Sequence, residues 1–405
     1  MTALSDARIV LGVTGGIAAY KAVELCRQLV DAGAYVIPVL TEGAEQFVGR
    51  TTFDALASEK VQTSLWDESS PIPHTHLGQS ADLVIVAPAT ARLLADYRIG
   101  RSHDLLTGTL IATQAPVLVA PAMHTEMWEH PAVQDNIEVL RDRGVHLVDP
   151  EAGRLAGGDI GHGRLAAPST IVAHAARILS AGDLEGAHVV VTAGGTKEPI
   201  DPVRVISNRS TGKQGYAIAE AAWARGATVT LVSTVDREPP VGVDVISVET
   251  AAEMEKAVMS VAGLGSTMKT DVIIMAAAVA DFRPAIPAGS KIKKTDGEAP
   301  QVALEKTHDF LVELGEKKPD NQVLVGFAAE TDNLLDNARS KLVRKNLDLI
   351  VANDVSAPDA GFAHDTNKVT LLVGDGREID VPLGSKRVVA DAIIDAVVEV
   401  RATFS

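Results

Sequence analysis

Ile9-Val10-Leu11-Gly12-Val13-Thr14-Gly15-Gly16-Ile17 decides the fold class. Ile9–Val13 is an apolar run with the composition of a buried strand, and it ends on two glycines. Ile17–Asp31 then has helical spacing, with Ile17, Val23, Leu25, Cys26, Leu29 and Val30 on the apolar side and Gly33 as the stop. Tyr35–Leu40 is the next strand. Leu83–Ala87, Val117–Ala120 and Val145–Val148 repeat the pattern, with helical segments between them. Nearly continuous apolar strands alternating with helices predict a parallel sheet covered on both faces. A second cycle opens at His188–Thr192 and continues with a helix over about Gly215–Arg225. Strands follow at Thr228–Ser233, Val243–Val248, Asp271–Met275, Gln322–Gly326, Leu349–Ala352 and Val369–Val373, and a final helix at about Ser385–Arg401. The expectation is two doubly wound α/β domains, residues 1–180 and 188–405, joined by a polar linker over 181–187.

Composition limits the function. The chain has 405 residues, 46% apolar and 22% charged, with 37 Lys+Arg against 53 Asp+Glu and a formal charge of −16. Such an excess of acid disfavours a nucleic-acid face, which needs clustered positive charge. The single cysteine, Cys26, excludes an intrachain disulfide and a cysteine-rich metal site. The apolar run Val272–Ala280 is too short to cross a bilayer, and Met1–Arg8 has no secretory pattern. A cytoplasmic protein with no nucleic-acid or membrane partner is expected, and a small phosphorylated ligand stays open.

The glycines of Thr14-Gly15-Gly16-Ile17 permit close backbone approach, and the following helix start favours an anion. The spacing is not GxGxxG, so a mononucleotide phosphate fits better than a dinucleotide, although a plain strand-to-helix turn reads the same way. Thr41 is a second candidate donor at that sheet edge. Ala87-Pro88-Ala89-Thr90-Ala91 and Pro121-Ala122-Met123-His124-Thr125-Glu126-Met127-Trp128 each follow a strand, at the edge where open α/β sheets bind ligands. Met123, Met127 and Trp128 suit a flat aromatic cofactor or ordinary core packing. In the second half, Thr192-Ala193-Gly194-Gly195-Thr196, the loop Asp201–Lys213, Ala276–Asp281 and Lys291-Ile292-Lys293-Lys294 gather glycines, hydroxyls, an amide and cations at strand ends. GxxxxGK[ST] is absent, so this is not a Walker A loop.

The order TGGIAAYK, His74, APATA, PAMHTEMW resembles the flavin-containing cysteine decarboxylases. VTAGGT, EPIDPVR, ISNRSTGKQG, AAAVADFRPA, KIKK and RKNLDLIVAND resemble phosphopantothenate–cysteine ligases. In this order the two halves resemble the bacterial bifunctional phosphopantothenoylcysteine decarboxylase/phosphopantothenate–cysteine ligase family of coenzyme A synthesis. The resemblance implies an α/β chain: an N-terminal flavodoxin-like (Rossmann-like) flavoprotein domain and a C-terminal Rossmann-like ligase domain. It implies FMN, held by Gly15, Gly16, Ile17, Thr41, Ala89, Thr90 and Met123. His74 falls at the position of the catalytic base, and His76 lies on the opposite face if the segment is extended. His124, Met127 and Arg164 fall on the substrate side. In the ligase domain the resemblance implies CTP and magnesium. Asn208 falls at the acyl-cytidylate position, Lys291 on the nucleotide phosphates and Arg204 on the substrate. Asp281 is the metal and nucleotide candidate, and Ala277, Ala278, Phe310, Phe327, Lys341 and Lys345 complete the nucleotide side. Flavin-domain trimers, with the flavin at a subunit boundary, and ligase-domain dimers would together close a dodecamer.

Two positions depart from the family pattern. His124 stands where the family has Asn, and Gly157 stands in the substrate flap where the family has Cys. They motivate a second reading, in which an active ligase is fused to a non-catalytic flavin-binding regulatory module.

Overall fold

A computed structural model describes residues 3–66, 71–262, 269–293, 301–330, 333–354 and 364–404. Lys294, the last residue of the KIKK motif, lies outside them. The chain divides into two compact units, Met1–Ala181 and Gly182–Ser405.

The first unit is built on five parallel strands: β1 (Arg8–Val13), β2 (Tyr35–Leu40), β3 (Leu83–Ala89), β4 (Val117–Pro121) and β5 (His146–Leu147). Their spatial order is β2-β1-β3-β4-β5, so the chain reverses direction across the sheet between β1 and β3. That reversal opens a crevice at the strand carboxyl ends. Alternation along β1 sends Ile9, Leu11 and Val13 into the core beneath one face and Val10 into the core beneath the other. Burying each such side chain is worth roughly 1.5–3 kcal/mol.

The first helix is α1 (Ala19–Asp31), shorter than the sequence expectation. Ile17 precedes it and is 63% exposed, so it belongs to the turn and not to the buried face. Cys26 is fully buried in the core. The segment holding His74 is a helix, Pro73–Ser80, started by Pro73 in its first turn. At about 100° per residue, His74 and His76 still diverge, and His76 is exposed. After β5 an antiparallel hairpin, β6 (Glu151–Arg154) and β7 (Ile160–Arg164), forms the flap.

In the second unit an eight-stranded sheet runs in spatial order from Val243–Ser247 through Thr228–Ser233, His188–Ala193, Val272–Met275, Val323–Glu330 and Leu349–Asp354 to Thr366–Val373 and Glu378–Ser385. The first six are parallel and the last two antiparallel. The reversal of strand order falls between His188–Ala193 and Val272–Met275. Those two strands carry Gly194-Gly195 and Ala276–Ala280 at their carboxyl ends, so the motifs of this half are placed together by topology. Glu378–Ser385 is a strand the sequence reading omitted. Among the described residues no helix is long and apolar enough to cross a membrane.

Candidate functional site

A cavity of about 710 Å³ opens at the reversal point of the first unit. Its floor is Gly15, Gly16, Ile17 and Ala18, at the N-terminus of α1. That helix has no acidic residue in its first turn, so its positive dipole end faces the cavity uncompensated. A Cβ on Gly15 would lie 2.7 Å from the Gly43 carbonyl carbon, so only glycine lets the two turns meet. Thr14 locks the other side. Its buried hydroxyl donates to the Pro88 carbonyl at 2.7 Å and accepts from the Thr90 N–H at 3.2 Å. Thr90 in turn caps the helix Ala91–Arg98.

Pro88, Thr90, Ala122, Met123, His124 and Met127 supply one wall, and Lys21 and the flap residues Arg154, Leu155 and Arg164 another. The Lys21 ammonium bonds the Leu165 carbonyl at 2.9 Å. Burial lowers its pKa, the Arg164 charge lowers it further, and Glu151 opposes them. Two cations at one cavity edge favour an anionic ligand. Two of the expected flavin residues stand back from the lining. Ala89 is buried in β3. Thr41 uses its hydroxyl to cap the turn after β2, accepting from the Ala44 N–H at 3.2 Å.

His74 does not line this cavity. It is half-buried against the helix Leu105–Ala112, where a Cβ on Gly108 would come within 3.1 Å of its own Cβ. Its Nδ1 is buried with no hydrogen-bond partner among the described residues.

In the second unit the motif residues stand on loops at the strand ends. Gly195 lets the Asn208 backbone approach, since a Cβ there would sit 2.7 Å from the Asn208 carbonyl oxygen. The Asn208 amide donates to the carbonyls of Ala278 and Val279 at 3.3 and 3.2 Å. Ala277 is held by the Thr192 hydroxyl at 3.0 Å. Asp201 is the hub of the adjoining loop. It accepts from the Val203, Arg204 and Ile292 N–H groups and from the Arg204 guanidinium at 2.7 Å. Burial opposes ionisation, but these donors and the arginine charge hold its carboxyl down at about 2. Arg204 also donates to the Ile292 carbonyl at 2.6 Å, which fixes the loop that presents the exposed Lys291. Arg204 is therefore a brace of the Lys291 loop, a role its motif position did not signal.

Asp281 is exposed at the mouth of the Ala276–Ala280 segment. Among the described residues the carboxylate–imidazole triple close enough to share an ion is Glu255, His308 and Glu313, and it does not include Asp281. Phe327 lines a small pocket of about 30 Å³ with Ser210, Thr211, Gly212, Lys213, Asn353 and Lys386. Lys386 is 7% exposed. Burial pushes its pKa down to about 8, Lys213 adds to the shift, and Asp365 opposes it. Two of the expected nucleotide-side residues are engaged within the fold. Phe310 starts a helix, as read, and is 2% exposed in the core. Lys345 ends the helix Leu334–Arg344 and pairs with Asp309 at 2.7 Å, which pins two helix ends together. Lys341 lies one turn earlier on that helix.

Comparison with known proteins spans both units. The coenzyme A biosynthesis bifunctional protein CoaBC of Mycobacterium tuberculosis is 47% identical, covering 96% of this chain and 96% of its own length. The Bacillus subtilis protein of the same name is 48% identical over 97% of each chain. The chain belongs to this bifunctional family. Its flavoprotein model matches residues 1–180, and its DNA/pantothenate metabolism flavoprotein C-terminal domain model matches residues 184–400. A solved C-terminal domain of a CoaBC protein is 40% identical, covers 54% of this chain and 97% of that one, and superposes with a TM-score of 0.45. The flavoprotein model falls on the unit with the 710 Å³ cavity, and the second model on the unit with the braced loops.

Thr14, Lys21 and Arg154 in the first unit, and Asp201, Asn353 and Lys386 in the second, were not singled out by motif. Thr14 and Lys21 sit inside the quoted TGGIAAYK: a polar residue between a buried strand and a glycine turn is the signal that marks Thr14, and a cation in the first turn of α1 the one that marks Lys21. For Lys386 no local signal exists, because its burial comes from strands far away in sequence.

Proposed function

We propose that the chain catalyses two consecutive steps of coenzyme A synthesis in the cytoplasm. The second unit joins 4′-phosphopantothenate to cysteine with CTP, and the first decarboxylates the product to 4′-phosphopantetheine. The observation that carries this is identity of 47–48% to bifunctional coenzyme A biosynthesis proteins over 96–97% of both chains. The non-catalytic alternative for the first unit finds no support in those relatives.

The first cavity fits FMN. Gly15, Gly16 and Ile17 offer backbone donors and a helix dipole to its phosphate, and Thr90, Met123 and Met127 offer a hydroxyl and apolar faces to its ring. When bound, the flavin supplies the two-electron oxidation of the cysteinyl carbon–sulfur bond that makes the β-carbon an electron sink, and the later return of that electron pair. His124 orients the substrate carboxylate, and Arg164 with Lys21 takes the substrate phosphate. His74 is the base. It stands away from the cavity of its own chain, so it serves a neighbouring copy, in keeping with a flavin at the boundary of a trimer. Trimer contacts of this unit and dimer contacts of the other close a dodecamer.

In the second unit Lys291 holds the nucleotide phosphates, and Asp281 holds magnesium, which binds through one or two carboxylates plus phosphate oxygens. The carboxylate of phosphopantothenate attacks the α-phosphate, pyrophosphate leaves, and the cysteine amine displaces CMP. Asn208 and the Ala277–Ala278 backbone hold the acyl-cytidylate between the two displacements. Incubation with phosphopantothenate, cysteine, CTP and magnesium, with products read by mass spectrometry, is expected to give phosphopantetheine, CMP and pyrophosphate. Accumulation of phosphopantothenoylcysteine without phosphopantetheine would overturn the decarboxylase half and leave the ligase standing.

A further inference from the structure

His124 and Gly157, the two departures from the family pattern, touch each other. A Cβ on Gly157 would lie 3.3 Å from His124 Nε2 and 3.1 Å from Asp159 Oδ2. The flap is pinned in that register. Met123 N–H donates to the Gly163 carbonyl at 3.0 Å, and the Thr125 hydroxyl to the His162 carbonyl at 2.8 Å. Only glycine fits at 161 and 163, where a Cβ would meet Thr125 Oγ1 at 2.3 Å and the Met123 carbonyl oxygen at 2.1 Å. His124 therefore projects into the space a flap side chain at 157 would fill.

Both of its nitrogens face carboxylates. Nδ1 bonds Glu126 and Nε2 lies 3.3 Å from Asp159. The Glu126 hydrogen bond and charge raise the imidazole pKa, burial opposes them, and Asp159 adds to the rise. The other charged groups around the cavity are Lys21 from α1 and Arg154 and Arg164 from the flap.

Loss of carbon dioxide leaves a substrate enethiolate that must gain a proton on carbon. Few cavity groups can give one. Arginine stays charged, Lys21 is engaged with the Leu165 carbonyl, and a phenol is a far weaker acid than an imidazolium. The only thiol, Cys26, is buried in the core. His124 remains, and the group that holds the departing carboxylate faces the carbon left behind.

We propose that His124 is the acid that protonates the substrate carbon vacated by carbon dioxide, acting where Gly157 leaves the flap without a side chain. The carbon–carbon double-bond pair of the enethiolate takes the proton from Nε2 and becomes the new C–H bond. The N–H pair stays on nitrogen, the carbon–sulfur bond becomes double, and the product is a neutral thioaldehyde beside a neutral imidazole. The proposal rests on the decarboxylase reading of the first unit.

The test gives flavin-loaded full-length protein phosphopantothenoylcysteine without oxygen and reads carbon dioxide, product mass and flavin absorbance together. His124→Asn is expected to keep its flavin; because the ring also orients the carboxylate, carbon dioxide release should slow, but phosphopantetheine should fall much further, so the product ratio is what is read. Its phosphopantetheine yield should fall by about 100-fold or more, the usual worth of a general acid. A product two hydrogens lighter should replace it, and the flavin should stay reduced. Adding Gly157→Cys to His124→Asn should restore phosphopantetheine, because the new thiol stands where the ring stood. In the parent chain the ratio of phosphopantetheine to carbon dioxide should fall on the alkaline side as the imidazolium is lost, and Glu126→Gln should move that fall to lower pH. Should His124→Asn lose flavin, His124→Gln is read in the same way. Phosphopantetheine in the parent ratio from the flavin-loaded variant overturns the proposal, as does parallel loss of both products, which puts His124 before carbon dioxide departs. A parent chain that releases no carbon dioxide overturns the decarboxylase reading instead.

Discussion

The two units place their motif residues at the same point of the topology, the reversal of strand order, and prepare it in opposite ways. At the reversal point of the first lies a slot of about 710 Å³ walled by Pro88, Met123, Met127 and the α1 turn. At that of the second, polar side chains are spent on one another: Asn208 on two carbonyls, Arg204 on Asp201, Lys213 on Asp365. A pocket lined there by Lys213, Phe327 and Lys386 holds about 30 Å³. A ring cofactor that stays bound needs its slot formed beforehand, so that binding orders little. In the proposed ligation a co-substrate consumed each turnover would be served by charged loops, its phosphates replacing their internal bonds.

The largest break in the comparison is expected from His74→Asn. Carbon dioxide release should fall by about 100-fold or more while CMP formation stays unchanged, because the base belongs to one unit only. Co-assembling this variant with one whose cavity is blocked should restore part of the release, and failure to do so would return His74 to its own chain's cavity.

Gly15→Ala comes next. Its methyl would press on the Gly43 backbone at 2.7 Å. At roughly 1–3 kcal/mol for such overpacking, flavin affinity should fall about 10- to 100-fold. Flavin absorbance of the purified protein reads it, and ligation serves as the control.

Asp201→Asn tests the braced loops. The folded carboxyl titrates at about 2, below the ordinary value of 3.8, so its ionised form stabilises the second unit above pH 4 and is lost as pH falls through 2. At pH 7 the variant should melt lower, by roughly 4 °C, and ligate more slowly as the Lys291 loop loosens. Unchanged melting and unchanged ligation would remove Asp201 from the loop's support.

Lys345→Ala should do least. A pair with half-exposed Asp309 is worth about 0–1 kcal/mol, and the KM for CTP should change by less than about twofold. A tenfold rise would restore Lys345 to the nucleotide site.

What the sequence shows of this molecule follows how local the physics is. β1, its glycine turn and α1 are legible because a strand run, two glycines and helical spacing occupy consecutive residues. The same holds for PAMHTEMW and the flap glycines. Ile17 misleads, because an apolar residue at a helix start looks like core until the cavity beside it is seen. Glu378–Ser385 is hidden because it is an edge strand whose side chains are mostly exposed, which leaves no apolar alternation to read. The segment around His74 and His76 reads equally as extended, and Pro73 at the first turn is the residue that marks it as a helix. The burial of Phe310 and the pairing of Lys345 with Asp309 do not show in their motifs, because they depend on elements apart in sequence. The Asp201 hub is invisible for the same reason, since its Ile292 partner lies 91 residues on.

The flap without a thiol has a consequence for chemical attack. A cysteine at 157 would be exposed and nucleophilic, open to alkylation and to oxidation through sulfenic acid. This chain holds one sulfhydryl, fully buried and pushed by burial up to about 11, so at neutral pH it offers almost no thiolate. Maleimides, iodoacetamide and peroxide find no thiol to modify at this flap.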